Sequence, residues 1–280
     1  MRLIKSPSLI NKELKKRRIK GQGIGFVPTM GALHEGHLSL IRQARRDNDI
    51  VVVSIFVNPK QFGPKEDLKK YPRPLSKDLK LCRKEGVDFV FFPKNEDIYP
   101  GGFSTYVNVE GLDKFLCAKS RPGHFRGVTT IVAKLLNIIA PDVLYLGQKD
   151  IQQAVILQRM VKDLNIPVKV KVMPIVRSKD GLALSSRNAY LNHKERRDAL
   201  VLSQALKLAV FFINNGASDA KRIILRMRQL IEKRQSVRID YVEIVDPVTL
   251  KPLKKVAGSF LIVLAVWVGK TRLIDNFLRK

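Results

Sequence analysis

The chain has 280 residues, 45% of them hydrophobic, with 17 glycines and 14 prolines; this suffices for a sizeable core and excludes disordered, collagen-like and low-complexity chains. A balance of 52 Lys+Arg against 25 Asp+Glu gives a formal charge of +27, which suggests nucleic acid or another polyanion unless it is a general surface bias. Two cysteines, Cys82 and Cys117, cannot build a disulfide framework and suit a reducing compartment.

Apolar runs alternate with amphipathic stretches along the first part of the chain. Residues 24–28 predict a short buried strand. Residues 35–48 predict a helix, with Leu38, Ile41 and Ala44–Arg45 spaced as one inward face. Residues 50–57 (IVVVSIFV) are nearly all β-branched or apolar, as in a strand buried on both faces of a parallel sheet. Helices follow at 76–85, with Ser76 as N-cap, at 128–139 and at 150–164. Strands follow at 87–92, 142–146 and 168–176. This alternation implies crossover units and a parallel α/β sheet. After about residue 176 two helical stretches, 193–214 and 219–234, precede two strand-like runs, 240–245 and 260–268. The expected organisation is therefore a domain over 1–176 and a smaller α+β domain over 177–280.

The longest apolar run, 260–268, is far short of the ~20 residues of a membrane helix. The basic first 25 residues hold no apolar stretch of the roughly 7–15 residues that a secretory signal needs. A cytoplasmic protein is expected. The positive excess is spread over both halves, and the densest run, Lys12 to Lys20, reads best as a solvated helix face. No aromatic-basic RNA signature is present, so nucleic acid is not the expected partner.

Three motif-like segments fail on context. Gly21-Gln22-Gly23-Ile24-Gly25 precedes a strand instead of following one, and its spacing is not that of a dinucleotide loop. Gly269-Lys270-Thr271 lacks the earlier glycine of a P-loop, because Leu264 stands there. His34 and His37 are three apart, not four as in a zincin, and no third ligand cluster accompanies them.

The segment Pro28-Thr29-Met30-Gly31-Ala32-Leu33-His34-Glu35-Gly36-His37 joins the first predicted strand to the first predicted helix. There, backbone N–H groups and the positive helix end face the crevice where open α/β sheets bind ligands. Two histidines three apart share a face and can both address an anion. The alternative is that they cap or pack the helix start. This segment resembles the H-x-G-H motif of the nucleotidyltransferase superfamily. Further segments narrow the likeness: Val57 to Phe62, Tyr71-Pro72-Arg73, Ser120 to Val128, Gly147 to Gln153 and Asp180 to Asn188. In this order they resemble the pantoate–β-alanine ligase family, over nearly the whole chain.

The resemblance implies a Rossmann-like N-terminal domain, a smaller C-terminal domain that closes over the ATP site, and a homodimer. It implies that ATP with Mg2+ activates pantoate as an acyl-adenylate, and that β-alanine then displaces AMP. Carried over residue by residue, ATP would contact Met30, Gly31, Ala32, Leu33, His34, Glu35, Gly36, His37, Gly147, Gln148, Lys149, Asp150, Val176, Leu184, Ser185, Ser186 and Arg187. His37, His34 and Lys149 would be catalytic, with His37 donating a proton to phosphate. Gln61 and Gln153 would read pantoate's hydroxyls, and Asn58, Arg121 and His124 would complete the pocket for pantoate and β-alanine. Asp78 would be the nearest match to a metal-assisting acid.

Three positions depart from the usual family pattern: Gln148 for Glu, Lys60 for Met and Lys77 for an acidic residue. The stretch from Phe62 to Pro74, rich in proline and charge, is expected to form a lid. Two other readings remain open at this point: an RNA-binding protein on a related scaffold, and a nucleotidyltransferase acting on a phosphorylated substrate.

Overall fold

The computed structural model describes residues 1–64 and 66–280. Lys65, inside the expected lid, lies outside the described residues. In chain order the first elements are β1 (Arg2–Ile4), α1 (Pro7–Ile19), β2 (Ile24–Thr29), α2 (Glu35–Asp47), β3 (Ile50–Ile55), α3 (Leu75–Lys84), β4 (Phe89–Phe91) and α4 (Asn95–Ile98). Then come α5 (Cys117–Ser120), α6 (His124–Ile139), β5 (Val143–Gly147), α7 (Ile151–Asp163) and β6 (Lys169–Met173). The chain continues through α8 (His193–Ala199), α9 (Val201–Asn214), α10 (Ala220–Glu232), β7 (Val237–Val245), β8 (Phe260–Val268) and β9 (Thr271–Arg279).

The chain forms two compact units. The first comprises Met1–Asp113, Arg121–Gly147 and Ile156–Pro174; the second comprises Lys114–Ser120, Gln148–Val155 and Ile175–Lys280. A single boundary after residue 176 therefore misses two segments, 114–120 and 148–155, that the second unit draws from the earlier chain. Ser120 bonds Asp240 and Gln148 bonds Asn276, each more than a hundred residues downstream, and local patterning carries no trace of such pairs.

The first unit holds a six-stranded sheet in the order β1-β4-β3-β2-β5-β6, with every pairing parallel, the arrangement of a Rossmann-like α/β fold. All of β3 is buried, as its unbroken apolar run requires. Val27, Val51, Val53 and Val90 pack with Ile41 and Ala44 of α2 and with Cys82 of α3. Burial pushes the Cys82 thiol up to about 12, which makes it an inert core group.

Several boundaries move. Helix α3 starts at Leu75, not Ser76, and its N-cap is Pro74 without a side-chain cap bond, so Ser76 is not the cap. Helix α6 starts a turn earlier than the apolar run, at His124, with Gly123 (φ +78°) before it. Residues 2–19 form a short strand and a helix, α1, and the helix face expected over Lys12 to Lys20 lies in its later turns. The helix signal there is Ser6, whose hydroxyl accepts from Leu9 N, followed by Pro7 in the first turn.

The second unit builds a separate core. Helices α9 and α10 supply Leu202, Leu206, Ile223 and Met227, and the antiparallel sheet β7-β8-β9 supplies Ile244, Ile262 and Leu264. The stretch 193–214 is two helices meeting at Leu200, not one. Strand β9 is an addition to the expected pair. Val268 pairs with Thr271, so Gly269-Lys270, rejected as a P-loop, is the hairpin turn.

Candidate active site

In the first unit the strand order reverses between β2, which neighbours β3, and β5, which neighbours β6. Such a switch point opens a crevice beyond the carboxyl ends of the strands. The segment from Met30 to His37 leaves β2 there, and Gly147 ends β5.

The loop after β2 is tightly wound. Gly31 (φ +80°) and Ala32 (φ +51°) are both left-handed, and a Cβ at position 31 would meet Asp78 Oδ2 and Ile55 Cγ2 at 3.0 Å each. A left-handed non-glycine residue is strained by ~1–3 kcal/mol and needs support. Asp78 provides it: Ala32 N donates to Oδ2 and Leu33 N to Oδ1, each at 2.8 Å. Burial pushes the Asp78 carboxyl up, and the two backbone donors oppose that shift. The side chain is 1% exposed, and both oxygens accept from the loop. Asp78 therefore positions this loop. Among the described residues, no group of three or more His, Cys, Asp or Glu is placed to hold a metal ion.

His34 and His37 do cap the helix, and the cap defines their chemistry. His34 is the N-cap of α2 and its Nδ1 accepts from Gly36 N at 3.2 Å; His37 Nδ1 accepts from His34 N at 3.4 Å. The rings lie 4.1 Å apart, tilted by 38°. With Nδ1 an acceptor in both, each neutral ring carries its proton on Nε2. Capping and anion recognition are therefore compatible, because they use opposite nitrogens. Glu35, expected at ATP, has its carboxylate on Arg42, which also holds Glu85.

A second cluster of the first unit gathers Gln61, Asn58, Arg121 and His124. Gln61 Nε2 donates to Met30 Sδ at 3.1 Å, and Gln61 Oε1 accepts from Asn58 Nδ2 at 3.0 Å. Asn58 is 1% exposed, accepts from the Tyr99 hydroxyl at 2.8 Å and donates to Gly127 O at 3.1 Å. Asn58 therefore holds Gln61 from a buried position. Tyr99, unnoticed in the sequence, orients Asn58. Arg121 Nη1 donates to His124 Nε2 at 3.1 Å, so His124 donates from Nδ1 to Gln61 O at 2.8 Å. Arg121 also holds Glu66, another residue the motifs leave out.

The second unit carries the remaining expected ATP contacts. Leu184 N donates to Val176 O at 3.0 Å, which closes a hairpin on the neighbouring Arg177–Ala183 bridge. Ser185 caps the next turn by accepting from Arg187 N at 3.3 Å, and Asn188 Nδ2 ties that turn to Ala183 O at 3.0 Å. Lys149 Nζ lies 3.4 Å from Asp150 Oδ2, and the lysine side chain is 22% exposed. Asn276 binds the backbone of Gln148 and Lys149. Gln153 is half-buried, whereas its neighbour Gln152 spends its amide on Cys117 N and Phe115 O.

Comparison with known proteins places this arrangement. The family model described as pantoate-beta-alanine ligase matches residues 2–278. The chain is 54% identical over 276 residues to pantothenate synthetase of Moorella thermoacetica, covering 99% of this chain and 98% of that protein. It is 53% identical, again over 276 residues, to that of Thermotoga petrophila, covering 99% of each. Among solved structures, pantothenate synthetase of Thermus thermophilus superposes with a TM-score of 0.95 at 44% identity, with 99% of each chain covered. The Francisella tularensis ligase, solved with beta-gamma ATP and beta-alanine, has a TM-score of 0.83 at 38% identity, covering 99% of this chain and 97% of that one. By the full-length match and the shared fold, the chain belongs to the pantoate–β-alanine ligase family.

Proposed function

We propose that this chain condenses pantoate with β-alanine to give pantothenate, splitting ATP to AMP and pyrophosphate through a pantoyl-adenylate. The observation that carries the reading is the capped histidine pair at the switch point of a chain matched from residue 2 to 278 by the ligase family.

Pantoate's carboxylate is ionised at neutral pH, so its attack on the α-phosphate needs no general base. The step needs alignment, and donors where phosphate charge grows. Nε2–H of His34 and His37, Lys149, Arg187 and the hydroxyls of Ser185 and Ser186 are the donors we assign to the nucleotide, with His37 donating towards the reacting phosphate. Met30 to Leu33, Gly36, Gly147, Gln148, Asp150, Val176 and Leu184 are assigned to ATP through backbone or packing. Gln61 and Gln153 are assigned to pantoate's hydroxyls, and Arg121 with His124 to an acid group. The buried Tyr99–Asn58–Gln61 bonds support the first of these, because they fix which end of the Gln61 amide is the donor.

Among the described residues no group of three or more His, Cys, Asp or Glu forms a metal cage. Magnesium is assigned to arrive with the phosphates of ATP and to keep its own water. A homodimer belongs to the same reading, and the mass from sedimentation equilibrium at varied concentration tests it. No helix among the described residues is long and apolar enough to cross a membrane.

The test is the three-substrate reaction. Purified protein given pantoate, β-alanine and ATP should release pantothenate, AMP and pyrophosphate. Omitting β-alanine should leave the adenylate half-reaction, seen as pantoate-dependent exchange of pyrophosphate into ATP. Exchange with other acids but never with pantoate would overturn the substrate assignment. A product that retains AMP covalently would instead favour transfer to a phosphorylated substrate.

A further inference from the structure

Strand β9 contains two adjacent polar residues, Asp275 and Asn276, that are 2% and 3% exposed. Burial of two neighbouring polar side chains is expensive unless each is fully bonded. Both are. Arg177 Nη1 and Nη2 donate to the two oxygens of Asp275 at 2.6 and 2.8 Å, and Asn276 N donates to Asp275 Oδ1 at 2.8 Å. The backbone of Asn276 is also held in register opposite Val263 of β8.

The Asn276 amide is spent on one object, the turn that carries Lys149. Its Nδ2 donates to Gln148 O at 2.9 Å and to Lys149 O at 3.0 Å. Two carbonyl acceptors at one atom identify that atom as the NH2 group. Oδ1 therefore faces the other way, and it accepts from Gln148 Nε2 at 3.1 Å. Turning the amide over would aim Oδ1 at two carbonyl oxygens.

We propose that Asn276 is a positioning residue for Lys149. It fixes the peptide units on both sides of the lysine Cα, and so sets the direction from which the ammonium reaches the nucleotide phosphates. This inference rests on the assignment of Lys149 to the phosphates. Asn276 itself touches no substrate. Its effect belongs to the rate of adenylate formation and not to nucleotide affinity in general.

The experiment uses the full chain and measures pantoate-dependent pyrophosphate exchange and overall turnover. Asn276→Ala should lower kcat about 10–100-fold, the scale of a small misplacement of a reacting group, with KM for ATP changed less than about threefold. In a Lys149→Ala background the same substitution should cost less than about twofold, because residues acting as a unit are not additive. A merely structural defect would instead multiply in both backgrounds. If Asn276→Ala does not fold, Asn276→Ser and Asn276→Asp carry the same test: the first shortens the donor, the second sets an acceptor against both carbonyls. Equal losses in the two backgrounds, or full turnover in all three variants, would overturn the proposal. Unimpaired turnover in Lys149→Ala alone would overturn the assignment of Lys149 instead, so the two failures are distinguishable.

Discussion

Arg121 grips Glu66 along one edge of its guanidinium, with Nε donating to Oε1 at 2.8 Å and Nη2 to Oε2. The two side chains are 14% and 23% exposed, so the pair is screened far less than a surface ion pair. Glu66 lies in the stretch from Phe62 to Pro74, and Arg121 also reaches His124 and Gln61 O. One arginine thus joins the expected lid to the cluster assigned to the substrate acid.

Cutting this pair should loosen the stretch. Burial pushes the Glu66 carboxyl up, but the bonds and charge of Arg121, together with His124 and the Gly63 backbone, outweigh it and hold the group below its ordinary range. Its stabilisation is therefore present above the unfolded carboxyl pKa and fades as pH falls through the folded one. Glu66→Gln keeps the shape and removes the charge, at a cost of about 1–2 kcal/mol for weakened charged hydrogen bonds. Limited proteolysis near neutral pH should cut residues 62–74 severalfold faster in the variant. Identical cleavage would show that the pair does not hold the segment.

Gly127 is a second constraint on the same cluster. A Cβ there would lie 2.2 Å from Lys60 O and 2.7 Å from Gln61 Cα, both backbone atoms that cannot step aside alone. Helix α6 and the turn that carries Gln61 approach this closely only because position 127 has no side chain. Gly127→Ala should cost about 1–3 kcal/mol by overpacking. It should also raise KM for pantoate more than KM for ATP, because the displaced group is Gln61. An unchanged denaturation midpoint would contradict the contact.

Asp47 gives the first unit a defined acid sensitivity. It accepts from Lys171 Nζ at 2.8 Å and Tyr145 OH at 2.7 Å, and with Gln43 these hold its carboxyl at about 2, against an ordinary 3.8. A depressed carboxyl pKa stabilises the fold above the unfolded value, and the benefit disappears as pH drops from about 3.8 to about 2. Asp47→Asn should melt about 2–5 °C lower than the parent at pH 6. The gap should narrow steadily below pH 4. A gap independent of pH would assign the effect to lost packing and not to charge.

The parallel sheet was legible because its central strands are continuous apolar runs, as in β3. Strand β1 was not, because three residues hold no periodicity. Strand β9 was hidden for a physical reason: Asp275 and Asn276 interrupt its apolar pattern, and only partners distant in sequence make their burial tolerable. The site divides in the same way. The histidines and Lys149 are expected at the site from their chemistry. Glu66, Tyr99 and Asn276 bond to residues 55, 41 and 128 positions away, a separation that no local pattern records. For the histidines the two readings of the sequence, cap and anion ligand, were not alternatives, because one imidazole has two nitrogens.

That division of labour makes the test of His37 specific. Its Nδ1 contributes a long bond to the His34 amide, and removal of a helix cap costs ~1 kcal/mol. Its Nε2–H, as a donor to charge that develops on phosphate, would be worth on the order of 100–1000-fold in turnover. His37→Ala should therefore lower kcat by that factor while the melting temperature falls only a few degrees. His37→Asn, with a shorter side chain that retains an acceptor for the cap, should recover most of the stability and little of the rate. A variant that regains both together would show that His37 acts through the helix start alone. Turnover unchanged in His37→Ala would remove the residue from the chemistry.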